Sequence, residues 1–315
     1  MRASRLARMT FTIASVNVNG IRAACKQRNE NNPGMNVWLE ETTADVVLMQ
    51  EVRANPKETQ KALAPALEAG WHLVQAESAA KGRAGVGILS RTPLSDVSVG
   101  FGSFSESGRF IAATVDAEGG PVRVASLYLP SGDTDSPKQD EKYLFLDEFS
   151  EVLADLAATY PQAVIGGDWN ICHRAQDLKN NKSNEKKSGH LPEERAFMDH
   201  VFGSFPDELP QDKKGLGDYL GVIDYATKTD WSARVPGEDA VQWYDVARRL
   251  APDADGPYTW WTYRGQAFNN DAGWRIDYQA ATKAMLERAE KTWVEKAPTV
   301  EQRWSDHSPL LVQYR

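Results

Sequence analysis

A chain of 315 residues with an apolar share of 41% and a charged share of 25% can bury a sizeable core, which excludes collagen-like, low-complexity and wholly disordered classes. Its net charge of −8 argues on its face against a nucleic-acid partner, although screening makes local charge count for more than the sum. No run approaches about eighteen consecutive apolar residues, so no membrane-spanning helix is expected, and two cysteines, Cys25 and Cys172, build neither a disulfide framework nor a four-thiolate zinc site.

In chain order, residues 1–10 are basic, but the following TFTIASVNVNG is interrupted by polar side chains and offers no cleavage site. They read as a flexible leader, with Met9 as an alternative start and a reducing, cytoplasmic setting expected. Strands are expected at Phe11–Asn17, Asp45–Gln50, Gly85–Ser90, Arg109–Val115 and Val122–Tyr128, then at Ala163–Gly166, Arg275–Ala281 and Pro309–Tyr314. The clearest helix is Lys138–Tyr160, where Phe145, Phe149, Val152 and Leu156 form one apolar stripe and Pro161 stops the run. A second helix starts at Pro192, with Glu193 and Glu194 favoured in its first turn by the helix dipole. Strands that alternate with helices, and also arrive as hairpin-like pairs, suggest sheets packed between helices. Residues 11–315 read as one domain of two similar α/β halves dividing near residue 160. An insertion at about 204–240 lacks a strong period, with a short strand possible at Leu220–Asp224.

Polar residues fall at the ends of these strands. Asn17 and Asn19 close the first, Glu51 follows DVVLMQ, Asp168 and Asn170 follow AVIGG, Asp277 sits in WRIDY, and Asp306-His307 precedes the last. Strand ends are where α/β folds gather ligands. Singly, each has an ordinary explanation: Glu51 as a surface residue, Asp168 as a helix N-cap, Asp306-His307 as an ion-paired surface couple. Jointly, carboxylates converging in one crevice repel unless a cation sits among them, and oxygen ligands suit Mg²⁺ or Mn²⁺ rather than zinc.

The strings around these residues are SVNVNGIRA, LMQEVR, GDWNI, GWRIDY and SDHSP. In this order they resemble the signature segments of the exonuclease III family of abasic-site endonucleases, within the endonuclease/exonuclease/phosphatase superfamily. YLPSGD around Tyr128, the helix bearing Lys142, and LPEERAFMD resemble the same family, so the similarity runs from Thr12 to Tyr314. The resemblance implies a four-layer α/β sandwich of the DNase I-like kind, two mixed β-sheets face to face flanked by helices. It implies Glu51 as the main metal carboxylate, with Asp306, Asn17 and Asn19 at or near a Mg²⁺ ion (Mn²⁺ as substitute). Asp168 would orient and deprotonate the attacking water, helped by Asn170. His307, held by Asp277, would contact the scissile phosphate, and Tyr128 would hydrogen-bond it from another side. Lys142, Lys179, Lys182, Asn184 and Lys186 would lie along the DNA backbone.

Substrate choice within that superfamily needs further residues, because fold alone does not select one. Trp260, Trp274 and Ile276 stand where the resemblance places an apolar pocket for a base-free sugar, which admits a flipped deoxyribose by shape. Trp261 is an alternative to Trp260 for the cleft-facing position. The segment KNNKSNEKK carries four lysines against one glutamate and suits a phosphate contact, its ordinary alternative being a solvated loop. Cys172, His173 and His190 read as packing or surface residues. After Tyr128 the chain reads Leu-Pro-Ser131-Gly132-Asp133-Thr134, without the arginine that some family members insert into the duplex; Arg264 is a candidate substitute. The expected function is a Mg²⁺-dependent DNA repair phosphodiesterase that incises duplex DNA 5′ to abasic sites and removes 3′ blocking groups or nucleotides. A phosphatase or phosphodiesterase acting on a small phosphorylated substrate is the alternative. A nucleoid-associated monomer is expected, with double-stranded DNA as partner.

Overall fold

Two runs of wholly buried residues, β1 (Phe11–Asn17) and β2 (Val46–Gln50), pair in parallel with Asn17 opposite Gln50. Burial on both faces is what selects such continuous apolar runs for central strands. With β3 (His72–Ala76), β4 (Val86–Ser90), β11 (Ala289–Val294) and β12 (Leu310–Tyr314) they form a six-stranded sheet in the order β11-β12-β1-β2-β4-β3. The second six-stranded sheet runs β5-β6-β7-β8-β10-β9, from β5 (Leu94–Val99), β6 (Phe110–Ala117), β7 (Gly120–Tyr128), β8 (Ala163–Asp168), β9 (Tyr244–Asp245) and β10 (Asp277–Ala281). The structure, a computed structural model, describes residues 10–203, 220–223, 231–234, 236–237 and 240–315. The expected leader, apart from Thr10, and most of the expected 204–240 insertion lie outside them.

The sheets face one another through Ile13, Leu48 and Ile88 on one side and Val124, Val164 and Ala281 on the other. The outer face of the second sheet is covered by the helix Pro137–Thr159, through Phe145, Phe149 and Leu153, and by the helix Pro192–Phe202. Helix Met35–Glu41 covers the first sheet through Met35 and Leu39. The expected four layers are therefore present. The long helix begins at Pro137 because Ser136 caps it, its Oγ accepting the Lys138 N–H at 3.2 Å. Among the described residues no helix is long and apolar enough to cross a membrane.

Three departures from the sequence expectations stand out. The chain does not divide near residue 160: β1–β4 form most of one sheet, β5–β10 the whole of the other, and β11 and β12 return to the first. Residues 220–223 form a bend with Val222 and Ile223 exposed, so the strand expected at Leu220–Asp224 is absent over its described part. Strands β3, β5, β9 and β11 were not expected, and all four are sheet edges. An edge strand is half solvated and carries polar residues, as in the LSDVSV of β5, so no apolar run betrays it.

Two glycines set the spacing just before Asp168, one between the sheets and one within the second. A Cβ on Gly166 would sit 2.5 Å from Leu48 Cδ1 in the facing sheet, so this residue sets how closely the layers approach just before Asp168. A Cβ on Gly167 would sit 2.1 Å from the carbonyl oxygen of Leu127, its backbone partner on β7. Backbone in a central strand cannot swing away as a side-chain end can. Gly167→Ala is therefore expected to destabilise by about 2–3 kcal/mol through overpacking, against a gain of about 0.4–1 kcal/mol from a stiffer unfolded chain. The midpoint of urea denaturation measures it, and an unchanged or higher midpoint contradicts the close approach.

Candidate active site

Register explains why residues scattered from 17 to 307 meet. β1 and β2 end together at Asn17 and Gln50, with Glu51 next. β7 and β8 end together at Tyr128 and Asp168, and antiparallel β10 begins with Asp277 opposite Asp168. β12 is antiparallel to β1, so the residues just before it, Asp306 and His307, return to the same end. The loops beyond β1 and β2 continue the pairing: Val18 N–H donates to Gln50 O at 2.9 Å, and Gly20 N–H to Glu51 O at 2.8 Å. Asn19, Glu51, Arg53 and Asn170 all hold left-handed backbone, with φ of 48°, 51°, 51° and 50°. Asn tolerates this locally, whereas Glu51 and Arg53 carry strain of about 1–3 kcal/mol each, the kind that persists where a site demands a particular direction of the side chain.

These residues line one cleft of about 630 Å³. On its floor Asp168 Oδ2 accepts the Asn17 amide at 2.9 Å, and its Oδ1 accepts the Asn170 N–H at 3.0 Å. His307 Nδ1 bonds Asp277 Oδ2 at 2.8 Å, and its Nε2 stands 3.7 Å from Asp168 Oδ2, beyond hydrogen-bond reach. Burial pushes the Asp168 carboxyl up to about 7, with Asp277 and Glu51 adding to the rise and His307 and Asn17 opposing it. Burial alone would lower His307, but the charges of Asp277 and Asp168 outweigh it and carry the imidazole up to about 10. The result is an imidazolium presenting one N–H to the cleft beside a carboxylate able to take a proton near neutral pH.

On the opposite wall, Glu51 accepts the Tyr128 hydroxyl and pairs with Arg53, whose Nη1 also donates to Asn19 Oδ1 at 2.8 Å. Asn19 Nδ2 donates to Asp306 Oδ1 at 2.8 Å, and its N–H to Asn17 Oδ1 at 2.9 Å. Burial, then the charges of Glu51 and Asp168, raise the Tyr128 hydroxyl well above its ordinary range, so it stays a donor.

Two groups could hold a metal ion. Asp168, Asp277 and His307 offer ligand atoms within 4.8 Å of one another. There His307 already spends Nδ1 on Asp277 at 2.8 Å, and the nitrogen it has left suits a softer ion than Mg²⁺. Glu51 and Asp306, with the amide oxygens of Asn17 and Asn19, are an all-oxygen set with two carboxylates, the donor chemistry of a hard cation. The second set fits better.

Beside the acid–base array lies an apolar recess. Trp260 and Trp274 meet edge to face, with centroids 5.9 Å apart, over Ile276, Leu178 and Cys172. Trp260 Nε1 donates to Asp306 Oδ2 at 3.1 Å, whereas Trp261 is buried against Phe268, so Trp260 faces the cleft. Trp274 and Ile276 point one way because the extended chain turns Arg275 the other. There Arg275 binds both Asp177 (2.8 Å) and Asp245 (2.7 Å). Against the upward push of burial, Arg275 and Arg248 hold the Asp177 carboxyl well below the usual range. This buried cluster, absent from the sequence reading, fixes the wall that carries the tryptophans.

Every expected catalytic, metal and pocket residue lies on this cleft or, as Asp277 does, directly behind it. The expected DNA-contact set divides. Lys179, Lys182 and Lys186 are exposed. Lys142 is not: it is fully buried, its ammonium 2.7 Å from Glu194, so its charge is spent inside the protein. Asn184 is also turned inward, its amide donating to Asn180 O at 2.7 Å. Arg264 is exposed on a loop outside the cleft wall. Arg53, cationic and on the cleft, closes the string LMQEVR yet went unassigned, and Lys187, the last lysine of KNNKSNEKK, lines the cleft as well. His173 and His190 are buried and bonded to Asp199 and Asn181, as packing residues are.

Two facing sheets carrying carboxylates, amides and a carboxylate-held imidazole at one end define an enzyme that cleaves phosphoesters. The chain matches the Endonuclease/Exonuclease/phosphatase family over residues 14–307 and belongs to that family. It is 25% identical over 301 residues to an exodeoxyribonuclease of Bacillus subtilis (strain 168), spanning 95% of this chain and 97% of that one. Its fold is similar to that of an AP endonuclease from Archaeoglobus fulgidus, with a TM-score of 0.67 and 25% identity over 96% of this chain and 99% of the other. It is similar also to the 3′ phosphatase NExo from Neisseria bound to a product DNA hairpin, with a TM-score of 0.74 and 24% identity over 97% and 99% of the two chains.

Proposed function

We infer that this protein is a DNA repair nuclease that hydrolyses phosphodiester bonds, incising duplex DNA 5′ to abasic sites and removing 3′ blocking groups or nucleotides. The observation that carries this reading is the apolar Trp260–Trp274–Ile276 recess set directly against the Asp168–His307 pair. Such a recess favours a flipped base-free sugar over a nucleotide that carries its base, so a preference for abasic sites follows from shape. The family match and the names of its relatives, an exodeoxyribonuclease and an AP endonuclease, support the same conclusion.

Asp168 takes the proton of the attacking water, steadied by the Asn17 amide and the Asn170 N–H. His307, cationic and anchored by Asp277, offers its free Nε2–H to a phosphate oxygen, and Tyr128 would turn its hydroxyl from Glu51 to the phosphate. Glu51 and Asp306, flanked by Asn17 and Asn19, would hold Mg²⁺, with Mn²⁺ as a substitute. When bound, such an ion supplies charge neutralisation and Lewis acidity at the phosphate. The proposed setting is a cytoplasmic, nucleoid-associated monomer.

A 5′-labelled duplex bearing one tetrahydrofuran abasic analogue, beside the undamaged duplex, tests the reading with Mg²⁺ and with EDTA. A single Mg²⁺-dependent cut at the analogue is expected. A 3′ ladder on both duplexes would make the protein chiefly an exonuclease, and no cleavage of either would favour the small-phosphoester alternative.

Lys179, Lys182, Lys186 and Lys187 are exposed along one arm beside the cleft, a placement suited to phosphate contacts that position DNA without reading sequence. Changing all four to Ser is expected to weaken DNA binding and to flatten the log K against log salt line by about 0.9 for each phosphate that the arm no longer neutralises. An unchanged slope would show that the arm touches no phosphate.

A further inference from the structure

Lys142 and Glu194 are both fully buried, far from what two exposed charges need and at a cost in desolvation that only specific contacts offset. All three ammonium protons have acceptors: Glu194 Oε1 at 2.7 Å, Asn170 O at 3.0 Å and Ser131 O at 3.2 Å. Glu194 Oε2 in turn accepts the N–H groups of Gly189 at 2.6 Å and Leu191 at 3.0 Å. Ser131, Asn170 and Gly189 are all on the cleft wall, and Gly189 packs so close to Trp274 that a Cβ there would lie 3.1 Å from its ring.

We propose that the buried Lys142–Glu194 pair is a positioning device, joining three separate cleft loops and setting the Asp168–Asn170 turn for catalysis. The key contact is the Asn170 carbonyl. Asn170 stands in the left-handed region, and its N–H donates to Asp168 Oδ1 at 3.0 Å. Its side chain is tied to Leu129 O at 2.8 Å and its carbonyl to Lys142, so residue 170 is held from both directions. Without the ammonium the Asn170 carbonyl loses its partner and the turn is free to shift, which moves the N–H relative to the general base. Neither residue reaches the reacting atoms; both act through Asn170 and Gly189.

The inference rests on the nuclease reading of the cleft, and its test separates the two. Lys142→Met and Glu194→Gln are compared with Phe145→Leu, a packing change on the same long helix whose ring meets Phe101, Phe104 and Phe149 away from the cleft, using Mg²⁺-dependent cutting of the tetrahydrofuran duplex and urea denaturation midpoints. The expected result is a fall in kcat of about a hundredfold for both pair variants, the scale of a small misplacement of a catalytic group, with KM nearly unchanged. Phe145→Leu should keep wild-type kcat at an equal or larger loss of midpoint. If kcat falls in step with the midpoint in all three variants, or if the pair variants keep wild-type kcat, the inference is overturned. Should Lys142→Met fail to fold, the isosteric Glu194→Gln decides alone. An inactive wild-type protein would overturn the nuclease reading itself.

Discussion

Asp168→Asn is expected to slow cleavage by about a thousandfold or more, a loss of about 4 kcal/mol of transition-state stabilisation, while DNA binding survives. The replacement is isosteric, and its amide oxygen can still accept the Asn170 N–H that now reaches Asp168 Oδ1 at 3.0 Å. What disappears is the proton acceptor, so the loss should appear in kcat. A second readout is independent of chemistry. The carboxyl lies at about 7 in the folded protein against an ordinary 3.8, so the fold disfavours the ionised form. Stability of the metal-free protein must therefore fall as pH rises from about 4 to about 7, with the full cost present above the folded value. Asp168→Asn abolishes that cost, offset in part by the Asn17 amide, which faces a new NH₂ group where it now meets Oδ2 at 2.9 Å. In EDTA the variant should be more stable than the parent by a few kcal/mol at pH 8, the difference shrinking toward pH 4. Near-parental turnover would strip Asp168 of its assigned role, and equal denaturation midpoints at pH 8 would contradict the buried charge.

The sequence made the site more legible than the scaffold around it. Asn17, Glu51, Asp168 and Asp277 each end or flank a wholly buried strand and His307 stands just before the largely buried β12, so a polar letter beside an apolar run marked both the strand and its functional tip. The edge strands β3, β5 and β11 left no such mark, because a strand with one solvated side mixes polar and apolar residues, and β9, with two buried residues, is too short to show a pattern. The interleaving of the sheets was hidden for a related reason: β12, which brings β11 with it, joins the first sheet through pairings about 295–303 residues apart, such as Tyr314 with Phe11, and no local pattern reports a partner that distant. Lysine was the least readable residue. Lys142 and Lys182 look alike in one dimension, yet one is sealed against Glu194 and the other is exposed. What separates them is the acid on helix Pro192–Phe202, whose place in the first turn suggested only a favourable helix dipole. Arg53 and the Asp177–Arg275–Asp245 cluster were missed likewise, since a charge partner from another part of the fold decides each role.

Asp277→Asn is expected to reduce kcat by about a hundredfold to ten-thousandfold and, more diagnostically, to shift the whole pH profile toward acid. In the parent, Asp168 must be ionised and His307 protonated, so the rate should rise through pH about 7 and fall through pH about 10. Burial by itself would push the imidazole down; Asp277 is the largest of the charges that hold it up, and the 2.8 Å bond to Nδ1 is its means. Asparagine removes the charge, so His307 loses its proton at lower pH and the alkaline limb moves down. Asp277 also helps to raise Asp168, so the acid limb moves the same way. Asparagine can in addition present its NH₂ to Nδ1, which leaves the proton on the wrong nitrogen for the phosphate. Since Asp277 Oδ1 is buried without a hydrogen-bond partner, the carboxylate's one strong polar bond is the one to His307, and its removal should read out there first. If the variant keeps the parent's alkaline limb at a lowered rate, His307 is not the cation that the profile reports, and a different donor must meet the phosphate. If both limbs move together, the Asp277–His307–Asp168 chain titrates as one coupled unit and each carboxylate is seen to set the other's working range through the ring between them.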